Sequence, residues 1–234
     1  MKLLAVESAT DACSAALWLD GEVLERYAVE PRRHSTLLLP MLDELLAEAG
    51  LELNQLDGLS FGRGPGSFTG VRIATGVIQG IALAADLPVA PVSTLAALAL
   101  QAFDATDASW AFAGLDARMD EVYWGVYRRD PAGGVHLWNC ESVGPAAAVA
   151  FPENAAGVGV GSAWDQYHAI LAGRLDASVP WLPGCQPRAG HIARLAALDL
   201  QSGLGVAAEN ALPVYLRDTV VKKPALRPAN PAPC

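Results

Sequence analysis

With 234 residues, 52% of them hydrophobic, the chain is long enough for a sizeable core and too apolar for a disordered polypeptide. A net charge of −9, with only 18% charged residues, argues against binding nucleic acid or an anionic membrane over the whole surface. Local basic clusters remain at Arg32/Arg33, at Arg128/Arg129 and in the C-terminal Arg217, Lys222, Lys223 and Arg227, and these read first as solvated faces or tail.

The run LLAVES, residues 3–8, reads as a buried strand, and residues 13–29 as two strands around the Asp20-Gly21 hairpin signal. HSTLLLPMLDELLAEAG (34–50) is predicted helical. Ser35 is the expected N-cap, Leu38, Leu42, Leu45, Leu46 and Ala49 share one face, and Gly50 is a natural stop. Pro40 lies just past the first turn, where it removes one hydrogen bond. A strand over LDGLSFG (56–62), a glycine-rich loop and a small-residue helix from Thr69 to about Ala85 follow. PVAPVS (88–93) is then a short strand, and TLAALALQAF (94–103) a helix capped by Ser93 or Thr94.

The second half repeats this order. Laid over AVESATDACSAAL, the stretch AGLDARMDEVYWGV places Asp116 on Glu7, each ending an apolar strand, and puts both acids on a shared cleft. The hairpin DPAGG (130–134), a helix near GPAAAVA (144–150), the strand AAGVGVG (155–161) and the helix SAWDQYHAILAG (162–173) complete it. The chain is accordingly read as two similar α/β lobes, residues 1–106 and 107–212. A segment over 213–226 is expected to return to the first lobe, and the proline-rich 227–234 to be a disordered tail.

The loop Gly62, Arg63, Gly64, Pro65, Gly66, Ser67, Phe68, Thr69, Gly70 is the most unusual run. It is neither a Walker A sequence nor GxGxxG. It either cradles an anion at the following helix N-terminus or shapes a tight corner. Glu7 and Asp116 are candidate metal- or nucleotide-facing acids, with turn capping as the plainer role. His34, His136, His168 and His191 each stand alone in sequence, so no HxxxH or HExxH metal site is expected, and no GxSxG elbow occurs. His34 and Ser35 are read as helix-start residues.

Cys13, Cys140, Cys185 and Cys234 form no CxxC pair, which suits free thiols in a reducing cytoplasm. Glu7 and Asp11 interrupt the N-terminal apolar run, so a strand is expected there rather than a signal peptide, and no membrane span is expected elsewhere. The two long helices of the first half carry more apolar and small residues than one sheet contact needs, which leaves partner packing open beside simple sheet coverage.

The phrase GRGPGSFTGVRIA, with AVESATDACSAAL, PVSTLAAL, DARMDEVYW and PVYLRD in the same order, resembles the TsaB (YeaZ) family of bacterial tRNA threonylcarbamoyladenosine biosynthesis proteins. The resemblance runs from the first strand to about Asp218, with Glu7 where the family commonly has aspartate. It implies the duplicated two-lobed fold of actin, Hsp70 and the sugar kinases, and a role in placing threonylcarbamoyl on N6 of adenosine 37 in tRNAs reading codons that begin with A. The implied chain is a catalytically silent relative that dimerises with the transferase TsaD and recruits the ATPase TsaE. It would pair with itself when alone, meet tRNA only through the complex and hold no cofactor, the complex using ATP and Mg²⁺.

The contact implied is through the first two helices, with Ser35, Leu37, Leu38, Met41, Leu42 and Leu45 on one and Arg72, Thr75, Ile78 and Gln79 on the other. Glu7 and Asp116 would be vestiges of a nucleotide or metal site, and the glycine loop chiefly architecture. Three competing readings stay open: a stand-alone ATPase or phosphotransferase of the same fold, a tRNA-binding module and a peptidase.

Overall fold

The computed structural model describes residues 1–175 and 179–217. Lys222, Lys223, Arg227 and the expected tail lie outside the described residues. The first half supplies β1 (Lys2–Glu7), β2 (Ala12–Leu19), β3 (Glu22–Val29), β4 (Gly58–Gly62) and β5 (Val89–Val92), hydrogen-bonded in the order β3-β2-β1-β4-β5. The second supplies β6 (Trp110–Asp116), β7 (Glu121–Arg129), β8 (Val135–Pro145), β9 (Gly157–Val160) and β10 (Trp181–Leu182), in the order β10-β9-β6-β7-β8. In each sheet an antiparallel meander is extended by parallel strands, so one topology occurs twice. The result is a duplicated two-lobed α/β fold of the actin, Hsp70 and sugar-kinase type.

Helices α1 (His34–Ala49), α2 (Phe68–Ala85), α3 (Thr94–Ala105), α4 (Ser162–Ala172) and α5 (Ala189–Gln201) cover the sheets. Pleat parity decides what each strand residue meets. Leu4 and Val6 of β1 point outward with Leu38, Leu42 and Ile78, into a core shared with α1 and α2. Leu3 and Ala5 point inward, into a core shared with α3 and α5. On β6, Ala111, Ala113 and Leu115 face that same inner core, whereas Phe112 faces outward toward Trp164 of α4.

The inner helices are exchanged between the halves. α3, from the first half, packs on β6 and β7, while α5, from the second, packs on β1, β2 and β4. The division at residue 106 therefore separates strands but not their covering helices. α3 is buried on nearly every side, from Thr94 through Phe103, and this explains its alanine-rich composition. Small side chains let two sheets and α5 approach it closely. α5 has no place in the expected element order, although Ile192, Ala193, Ala196 and Ala197 recur at helical spacing and are buried.

Two local expectations are corrected. GPAAAVA is not an α-helix: Gly144 and Pro145 end β8, and only Ala146–Ala148 turn, as a single 3-10 segment. α1 is not capped by Ser35. It begins at His34 after Arg33, without a side-chain cap, and the exposed Ser35 is its second residue.

Candidate functional site

The β1–β2 turn, residues 7–11, is the hub of the first lobe. The His34 ring lies 2.8 Å, through Nε2, from the Thr10 carbonyl oxygen and pins α1 to it. The Ser67 amide donates to the Ala9 carbonyl at 2.7 Å, and the Ser8 hydroxyl donates to the Gly70 carbonyl at 2.9 Å. The glycines of the loop are packing requirements. A Cβ on Gly62 would overlap the Glu7 carboxyl, one on Gly66 the Ala9 carbonyl, and one on Gly70 the Ser8 carbonyl. Gly64 has a φ of +94°. Ser67 then caps α2, its hydroxyl accepting from the Gly70 amide at 3.4 Å. The loop seats α2 on the hub and uses the Ser67 amide internally.

Between the lobes lies a cleft of about 460 Å³, bounded by Ser67, Phe68, Asp116, Arg118, Tyr215 and Arg217 among others. Glu7 and Asp116 do not face each other across it. Glu7 shares inward parity with Leu3 and Ala5, and its carboxylate is wholly buried. It accepts from the Ala9 amide at 2.6 Å and the Thr94 hydroxyl at 2.9 Å. Thr94 is therefore tied to Glu7, and Ser93 is the cap of α3, accepting from the Leu95 and Ala96 amides. Burial raises the Glu7 pKa to about 7, an effect its hydrogen bonds only partly offset. Asp116, at the opposite parity, meets α4: its amide donates to the Ser162 hydroxyl at 3.0 Å, and Tyr167 donates to its carboxylate at 3.3 Å. Arg118 also pairs with it. Each acid has a structural role, and only Asp116 lines the cleft.

Among the described residues, no group of three or more His, Cys, Asp or Glu side chains is placed to hold a metal ion. A polar cluster missed from the sequence sits at the start of α3, where Ser93 and the buried Tyr127 hydroxyl both donate to Glu141. Burial, with the neighbouring Glu141 charge, raises the Tyr127 pKa well above its ordinary value.

The two long helices divide the implied contact residues sharply. Leu38, Leu42, Leu45 and Ile78 are essentially inaccessible, and Met41 and Thr75 are buried, so these side chains hold the helices to their own sheet. Leu37 and Gln79 are half-buried, and Ser35 and Arg72 are exposed. The outward surface of α2 instead presents Arg72, Gly76, Gly80, Leu83 and Ala84, with Leu83 78% exposed, and α1 contributes Leu39. Among the described residues, a Cβ at Gly76 or Gly80 would meet nothing within 4 Å, so neither glycine is required by packing against them. α2 is also long and apolar enough, by length and composition alone, to cross a membrane. Here its Val71, Ala74, Ile78 and Ala82 are buried in the fold.

Fold and site together define a two-lobed protein of the actin, Hsp70 and sugar-kinase class, with a glycine-seated helix exposing an apolar, small-residue face. The chain belongs to the TsaB (YeaZ) family. It is 39% identical over 95% of its length to the tRNA threonylcarbamoyladenosine biosynthesis protein TsaB of Escherichia coli, covering 97% of that protein. It is 39% identical, again over 95%, to the TsaB of Haemophilus influenzae, covering 96% of it. The solved structure of YeaZ from Pseudomonas aeruginosa superposes with a TM-score of 0.86 at 45% identity, over 92% of this chain and 99% of that one. A family model described as TsaD, tRNA N6-adenosine threonylcarbamoyltransferase, matches residues 28–142.

Proposed function

We propose that this chain is a non-catalytic subunit of the system that transfers threonylcarbamoyl to N6 of adenosine 37 in tRNAs reading codons that begin with A. It docks on a TsaD-type transferase through the outward faces of α1 and α2 and helps recruit a TsaE-type ATPase, the assembly consuming ATP and Mg²⁺. Alone, it pairs with a second copy through the same face. Residues 1–106 supply that docking face in this reading, and residues 107–212 the second lobe.

The observation that carries the docking surface is the pair Gly76 and Gly80. Each costs a helix interior about 1 kcal/mol relative to alanine, and each points outward with no neighbour among the described residues. Spaced by four residues they lie on one face, where they let another helix approach the backbone. Six arginines, Arg26, Arg33, Arg118, Arg188, Arg194 and Arg217, are paired with carboxylates, which makes these six less available to phosphate.

The test is reconstitution of tRNA modification from TsaD, TsaE and threonylcarbamoyl-adenylate, with this chain present, absent, or carrying Gly80→Arg or Leu83→Glu. Modification that requires the chain, and that is lost with variants that stay folded, is the expected result. Full modification without the chain overturns the proposal.

A further inference from the structure

After α5 the chain crosses back over the first lobe. Val206 bridges Val89 on β5 through hydrogen bonds of 2.9 and 2.8 Å. The Ala211 carbonyl accepts from the Gln79 side chain at 3.1 Å, and the Val214 amide donates to the Arg63 carbonyl, inside the glycine loop, at 2.8 Å. Tyr215 packs 5.5 Å from Phe68, ring centre to ring centre, and its hydroxyl accepts from Arg72 Nε at 2.9 Å. The Arg72 guanidinium itself lies 3.7 Å over the Phe68 ring. Arg217 then leaves the first lobe and pairs with Glu121, the first residue of β7 in the second sheet.

Val214 to Arg217 thus line the cleft together with Asp116, Arg118 and Tyr123. The two ends of this strap are held by different forces. At the Val214–Tyr215 end a backbone hydrogen bond, an aromatic contact and a cation stacked on Phe68 act together. At the other end a partly exposed ion pair, with side chains 18% and 34% accessible, makes the crossing. Such a pair is sensitive to salt and to any competing charge.

We infer that residues 211–217 form a latch across the cleft, anchored on α2 and releasable at the Arg217–Glu121 pair. Release opens the cleft wall and loosens Tyr215 from Arg72, the residue that borders the outward face of α2. The latch thereby links the state of the cleft to the end of the helix proposed to dock a partner. Its mechanics do not depend on what that partner is.

Hydrogen exchange on the full chain tests this, comparing Arg217→Glu, Glu121→Arg and the doubly reversed protein. Each single reversal should speed exchange across 211–217 by about tenfold or more, with α3 and α5 unchanged. The double reversal should restore protection, and high salt should reproduce the single-variant pattern in the unaltered chain. Unchanged exchange in both single variants overturns the latch. So does acceleration that the double reversal fails to correct, or one that spreads equally to α3 and α5.

Discussion

Ser8 and Gly70 are locked together: the Ser8 hydroxyl donates to the Gly70 carbonyl at 2.9 Å, while the Ser8 carbonyl occupies the space a Gly70 side chain would need. The contact is backbone on backbone, so neither side can yield cheaply. Gly70→Ala should cost several kcal/mol, of the order seen when a core is overpacked, and shift the start of α2. Urea denaturation read by circular dichroism checks the loss; a change under about 0.5 kcal/mol would contradict the packing described.

Gly76, six residues further along the same helix, should behave in the opposite way. A methyl there meets nothing among the described residues, so Gly76→Ala is expected to stabilise the isolated chain by about 0.5–1 kcal/mol. The same substitution should weaken association with a transferase partner, because the helices can no longer approach as closely. Thermal melting and titration calorimetry on the same sample separate the two effects.

Glu7 gives a pH dependence whose sign follows from burial. Its carboxyl is lifted from 4.5 to about 7 in the folded chain, so folding favours the protonated form. The associated stability is fully present below pH 4.5 and is lost as pH rises toward 7, by roughly 3 kcal/mol in all. Glu7→Gln should remove that slope, leaving the variant the more stable protein at pH 8 and near parity at pH 4.5. Parallel urea titrations at the two pH values measure it, and equal differences at both would refute a buried neutral Glu7.

The exchanged helix α5 is fastened to the first sheet at its N-terminus. The Ala189 amide donates to the buried Ser14 hydroxyl at 2.8 Å, the Gly190 amide to Glu25 at 2.9 Å, and Arg188 pairs with the same carboxylate. Ser14→Ala leaves one of these amides buried and unpaired, an expected cost of about 1–2 kcal/mol. Hydrogen exchange should rise first at residues 189–193. Uniform loss of protection along the chain would argue instead that Ser14 acts on the whole core.

Apart from the two-residue β10, the strands, the hairpins, the glycine loop and the first three helices were legible because each carries a strong local signal. Asp20-Gly21 marks a turn, with both residues at positive φ, and alternation or 3.6-residue spacing marks the rest. The pairing of Glu7 with Asp116 failed on a single residue of register. Strand pleat reverses sides at every step, so two acids that each end a strand point into different layers. The leucine stripe of α1 was read correctly as a stripe, but a stripe does not say whether its cover is a sheet or another molecule. Leu38 and Leu42 belong to the core, so acidic substitutions there would report unfolding rather than docking. Gly76 and Gly80 were visible as small residues; only the empty space beside them distinguishes an open face from a packed one.

The crossing of α3 and α5 has a consequence for what the two repeats are to each other. Cut at residue 106, the first repeat would keep α3 but lose α5, exposing the inner side of Leu3, Ala5 and Ala16 to water. The second would lose α3 and bare Ala111, Ala113 and Leu115. Neither piece closes on its own, though each holds the part the other lacks. The repeats are related as two subunits that have traded an element and been joined by a tether, and heat should melt them in one step.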